Sequence, residues 1–116
     1  MINTSADGIY SETYFFENGN MRKSIVDDPV MGEYLDQEYY ENGNLKYSKY
    51  QTPEQTIEAR CDEEGFHTYY YTKGPDWEQA CIADETGKLV KVVENGVVKE
   101  DAATLAQYAI DYNFKE

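Results

Sequence analysis

"YYENGNLKYSKY", residues 39–50, sets strand-favouring aromatics on both sides of Asn42-Gly43. Asn-Gly tolerates positive φ, so it marks a tight hairpin turn. "FFENGNMRKS", residues 15–24, repeats the pattern around Asn18-Gly19. Gly19, Gly43, Gly65 and Gly87 are spaced by 24, 22 and 22 residues, and Pro29, Pro53 and Pro75 each follow a glycine by ten. Asn95-Gly96 stands near the corresponding place of the fourth unit. Glycine suits hairpin turns and proline is excluded from central strands. The alternation therefore predicts an antiparallel β-meander of up to eight or nine strands.

Between the turns, the expected strands are 9–16, 20–26, 33–40, 45–51, 56–62, 66–72, 77–83, 88–93 and 97–99. "TIEARCD" alternates, with Ile57, Ala59 and Cys61 on one face and Glu58, Arg60 and Asp62 on the other. Read as two-residue type I′ turns, Asn18-Gly19 and Asn42-Gly43 set Phe16 opposite Met21 and Tyr40 opposite Leu45. They also set Phe15 opposite Arg22 and Tyr39 opposite Lys46, as aromatic–cation pairs.

The tail changes period. In "EDAATLAQYAIDYNF", Leu105, Tyr108, Ala109 and Tyr112 fall at i, i+3, i+4 and i+7, one apolar stripe of a helix. Asp101 suits the N-cap. The fold expected is mainly β: one domain, residues 1–116, with hairpin repeats over about 9–99 and a helix over about 102–112. A single curved sheet, an open barrel and a sandwich all remain open.

The chain has 23 acidic and 10 basic residues, a formal net charge of -13, with 12 Tyr, 4 Phe and 1 Trp. Disordered acidic chains lack such aromatics, so an acidic folded domain is expected. Its field repels nucleic acid and anionic lipid and attracts a basic protein, although acidity also keeps a Tyr-rich sheet soluble. "MINTSADGIY" has neither the basic nor the apolar region of a secretory signal, and no apolar run is long enough for a membrane span. Cys61 and Cys81 fall in strands separated by a third, which predicts reduced, buried thiols and a cytoplasmic location.

Chemistry finds little footing. His67 is the sole histidine, beside Asp62-Glu63-Glu64 on an expected turn. Solvated charges there, and a surface position for His67, are the simpler reading. No nucleophile elbow, phosphate loop, zinc spacing or basic stripe is present, so no enzyme, metal or cofactor is expected. Tyrosine is large, stiff and able to hydrogen-bond, which suits an exposed binding face. The candidate partner-binding residues are Tyr39, Asp62, Glu63, Glu64, Tyr69 and Tyr71.

"YFFENGNMRKS" and "EYYENGNLKYS" resemble the variant MORN repeat, a bacterial hairpin unit of the form aromatic-aromatic-x-Asn-Gly-x-Leu-Lys-x. The likeness covers Phe15 to Lys23 and Tyr39 to Tyr47, and continues less closely at Glu64-Gly65-Phe66 and better at Thr86-Gly87-Lys88-Leu89. The third unit departs, with Asp62 and His67 where the pattern has an apolar pair. The resemblance implies a non-enzymatic binding module of the antitoxin or immunity-protein type. With the charge, it gives the expected function: occluding a cognate toxin, a nuclease with a basic active site, or alternatively serving as a structural or adaptor module. The expected partner is thus a basic toxin protein rather than a nucleic acid or a membrane.

Overall fold

The computed structural model describes residues 2–4 and 8–115. Its strands are β1 (Ile2–Thr4), β2 (Tyr10–Phe15), β3 (Met21–Asp28), β4 (Glu33–Tyr39), β5 (Leu45–Gln51), β6 (Thr56–Cys61), β7 (His67–Lys73), β8 (Glu78–Ala83), β9 (Leu89–Glu94) and β10 (Val97–Lys99). Helix α1 (Ala102–Asp111) follows. Among the described residues the strands form one sheet in chain order, each pairing antiparallel with the next. β1 lies outside the strands expected from sequence. Ten strands about 4.8 Å apart are separated by nine intervals, about 43 Å from first to last, and side chains at the two edges bring this near the longest dimension of 51 Å. The sheet is laid out in a line rather than rolled or folded over, which decides among the three architectures left open.

The glycine turns are where expected, with φ of 93°, 95°, 96° and 90° at Gly19, Gly43, Gly65 and Gly87. Their type differs at the two Asn-Gly copies. Gly19 N–H donates to Phe16 O at 3.0 Å and Phe16 N–H donates to Asn20 O at 2.8 Å. Tyr40, Gly43 and Asn44 repeat both bonds. Each loop therefore has three residues with glycine alone left-handed, the turn that ends in a glycine bulge. The two-residue type I′ turn occurs instead at Asn95 (φ 50°) and Gly96 (φ 82°), between the paired residues Glu94 and Val97. The extra residue shifts the register, so Phe15 faces Met21 and Tyr39 faces Leu45. The cations move too: Arg22 lies over Tyr14 and Lys46 over Tyr40, each 5.7 Å from the ring centroid.

Side chains separate the loop types. Asn18 and Asn42 each accept an N–H from the residue two further on, at 2.8 and 2.9 Å. Their amides, with those of Asn20 and Asn44, reach the next unit's turn. Asn18 and Asn20 both donate to Glu41 O at 2.9 Å, and Asn42 and Asn44 donate to Glu63 O at 2.9 and 2.8 Å. Each such bond contributes about 0.5–1.5 kcal/mol net, the lower end where water competes. Together they tie successive turns into a row. Val97 follows Asn95-Gly96 and carries no amide for this.

Directly paired residues share a face, so the pairings sort the strands' two sides. One side carries the row Tyr14, Lys23, Glu38, Tyr47, Arg60, Tyr69 and Ile82. Beside it runs Glu12, Ile25, Asp36, Lys49, Glu58 and Tyr71. This is the charged face. The other side carries Thr13, Ser24, Gln37, Ser48, Ala59, Tyr70, Cys81 and Val92. Rows through Val26, Leu35, Tyr50 and Ile57, and through Phe15, Met21, Tyr39 and Leu45, flank it. Over β2–β6 this neutral face holds no charged side chain until the pair Asp28 and Glu33 at its rim.

The core lies at one end. Cys81, Leu89, Val92, Ala109 and Phe114 form it, with Tyr70, Leu105, Tyr108 and Tyr112 packed around them. The helical stripe read from sequence is thus the stripe that α1 buries, and Asp101 caps it, accepting Thr104 N–H at 3.1 Å. The helix closes with Asn113 left-handed (φ 58°) and Phe114 N–H donating to Ala109 O at 2.9 Å. This Schellman-type closure folds Phe114 back onto the helix. Cys61 and Cys81 are buried free thiols on either side of β7, as expected. Burial raises both thiol pKa values, which leaves them weak nucleophiles.

Candidate protein-binding face

The charged face gathers Tyr10, Tyr14, Tyr34, Tyr47, Tyr69 and Tyr71, none of them buried. Each is set by the two-residue period of its strand. Cations and carboxylates are interleaved with them. Arg60 lies 5.4 Å from the Tyr47 ring centroid. Tyr14 donates to Glu12 Oε1 at 2.7 Å and Tyr71 to Glu78 Oε2 at 2.6 Å. These bonds raise both phenol pKa values, that of Tyr71 to about 12. The tyrosines therefore stay neutral donors at physiological pH. Between Glu38, Tyr40, Lys46, Tyr47, Arg60 and Thr68 the face dips into a shallow depression of about 400 Å³.

Along the glycine-turn edge stands a second feature. Glu17, Glu41, Glu63 and Glu85 occupy the same position in successive turns, and all are exposed. Two strands separate each from the next, so they recur at about 9.6 Å. The asparagine amides hold the backbone of Glu41 and Glu63, fixing the base of the column's two middle members.

The six residues read from sequence are not brought together as one patch. Tyr69 and Tyr71 lie on the charged face, while Tyr39 lies half-buried on the neutral face with its hydroxyl donating to Gln37 Oε1 at 2.9 Å. Asp62 is turned inward on its own loop, accepting Glu64 N–H at 2.9 Å and Phe66 N–H at 3.1 Å. Lys115 pairs with Asp62 at 3.5 Å and Glu64 at 3.6 Å. Of the acidic run, Glu63 alone belongs to the outward column. Sequence reading missed the column as such, although its signal, an acidic residue two before each repeat glycine, is visible in the chain.

His67 is not on an open hairpin surface. Its Nδ1 is 2.6 Å from Tyr112 O, its backbone N–H donates to Asn113 O at 2.9 Å, and its ring meets Tyr70 edge-on at 5.6 Å. It anchors the C-terminal segment. Among the described residues no group of three or more His, Cys, Asp and Glu side chains is placed to hold a metal ion. No described helix is long and apolar enough to cross a membrane.

No protein-family model and no curated protein matches the chain.

Under α1, Tyr108 donates to Glu94 Oε2 at 2.6 Å, and Lys99 reaches the same oxygen at 3.3 Å. The Tyr108 pKa rises to about 12, chiefly through the bond to Glu94. An unfolded tyrosine titrates near about 10. The folded state therefore holds its proton longer, and this contribution is complete below about pH 10 and is lost as pH rises through about 12. Alkaline titration followed by tyrosinate absorbance should show a late wave containing Tyr71 and Tyr108. Glu94→Gln should move Tyr108 out of that wave. A single early wave for all tyrosines in the folded chain would rule this arrangement out.

Proposed function

We propose that this chain is a non-enzymatic binding protein of the immunity-protein or antitoxin type, which occludes a protein toxin carrying a basic active-site cleft, as a nuclease does. The observation that carries this reading is the column of turn carboxylates along the border of a tyrosine-rich face. A regular row of exposed carboxylates offers a basic cleft what substrate phosphates offer it, negative charge at fixed intervals. The tyrosines supply contact area at low entropic cost. The resemblance of the "ENGN" hairpins to variant MORN repeats supports the same class. A cytoplasmic site of action belongs to this proposal.

The adaptor alternative draws on the same open sheet, with acidity serving solubility, and salt dependence separates the two. The chain should bind the toxin-domain product of the adjacent open reading frame, with an association rate that falls steeply as ionic strength rises. Steering acts through a field screened over about 8 Å at physiological salt. A rate indifferent to salt would favour the adaptor. Binding to nucleic acid or lipid vesicles instead would overturn the proposal.

A further inference from the structure

The neutral face over β2–β6 is only partly accounted for by the fold. All the buried apolar residues in the described chain lie at Ala59 or beyond, so α1 covers this side over the later strands and leaves the earlier ones open. Phe15 is 56% exposed there and Met21 36%. The chain carries 28% charged residues, yet across five successive strands all but the rim pair Asp28 and Glu33 point their charges to the opposite side. Solubility alone would not produce that segregation.

We infer that this face pairs with the same face of a second copy, forming a twofold sandwich. Three observations favour a second copy. First, each chain carries a net charge of -13, and two such chains repel least over this face, whose charges are confined to Asp28 and Glu33 at its rim. Second, five strands of about six residues offer a flat area of about 480 Å² per copy. That makes about 960 Å² in total, beside the roughly 1,000 Å² that marks off a biological interface, which fits a weak dimer. Third, α1 already forms a layer on this side. Packed sheets stand about 10 Å apart and a helix is about 10 Å across, so a partner sheet over β2–β6 lies in the same layer as α1. With the axis along β4, the partner's short β1 comes alongside α1, which also covers an open sheet edge.

This inference stands independently of the toxin reading, and salt separates them. Self-association opposes like charges, so it should tighten as salt rises, whereas toxin association should slow. Sedimentation equilibrium of the full chain at about 100 µM in about 0.5 M NaCl should give a dimer with a micromolar dissociation constant. A monomer under those conditions would overturn the proposal. Ser48→Glu, at the centre of the neutral face, should weaken the dimer by at least about tenfold, about 1.4 kcal/mol. Lys49→Glu, one residue on and facing the other way, should not; equal losses in both would place the contact elsewhere and overturn it. Gln37→Cys gives a check that does not depend on Ser48→Glu folding. Cys61 and Cys81 are buried, so a thiol cross-linker of about 10 Å should join two copies through position 37, and a product that stays monomeric would refute the face-to-face arrangement.

Discussion

Phe114→Ala is expected to destabilise the fold by about 3–5 kcal/mol, the usual cost of emptying a buried phenylalanine site. Phe114 is 2% exposed, packed with Cys81, Leu89, Val92 and Ala109, with its ring centroid 5.9 Å from that of His67. Domains of this size retain about 5–15 kcal/mol, so the loss is a large share of the total. It is concentrated because the earlier strands bury no residue in the described chain and lean on this end. Thermal unfolding should move down by on the order of 10–20 °C. Ile110→Ala is the control: Ile110 is 63% exposed on the same helix, and its truncation should shift the midpoint little. If the two variants melted alike, the cluster under α1 would not be the core on which the sheet depends.

How far this could be read in advance depends on the range of each interaction. Hairpins and helix were legible because their causes are local: glycine at each tight turn, alternation along each strand, a 3.6-residue stripe after Asp101. The turn type was not, because Asn-Gly serves two geometries here. What separates them is the residue after the glycine, whose amide at Asn20 and Asn44 bonds to a carbonyl 21 and 19 residues away. That choice is tertiary, and it set the register of Phe15 and Tyr39 one residue from where a two-residue turn puts them. Phe114 was missed for a related reason. Helical periodicity ends at Tyr112, and only the left-handed Asn113 returns the chain to the core. The single-layer sheet explains the tyrosines. With one half of one side covered, aromatics on both faces need no second layer of their own chain. The candidate site was legible as composition, tyrosine plus acid, but not as place, because Asp62 and Glu64 are engaged by Lys115 from 53 and 51 residues further along.

Reversing two members of the carboxylate column, Glu41→Lys with Glu63→Lys, should slow association with a basic toxin domain by about ten- to a hundredfold at low salt. The matched comparison is Glu54→Lys with Asp76→Lys, exposed residues in the turns at the opposite ends of the strands. Both pairs change the formal net charge from -13 to -9, so any difference reports the position of the charge rather than its sum. All four side chains are exposed in turns, where substitutions usually change stability by less than about 0.5 kcal/mol, and Glu41 and Glu63 offer the asparagines their carbonyls rather than their carboxylates. Folding should therefore survive in each. Dissociation should change little, because rim charges act mainly on encounter. Tyr71→Ala should do the reverse, leaving encounter intact and speeding dissociation by about thirtyfold if Tyr71 is an anchor contributing about 2 kcal/mol. Stopped-flow association and dissociation rates across a salt series read both effects. Should the two matched pairs slow association equally, only the total charge would matter, and the column would lose its claim to face the toxin. Should Tyr71→Ala leave dissociation unchanged while the column still steers, the toxin would seat on the turn edge rather than on the tyrosine face.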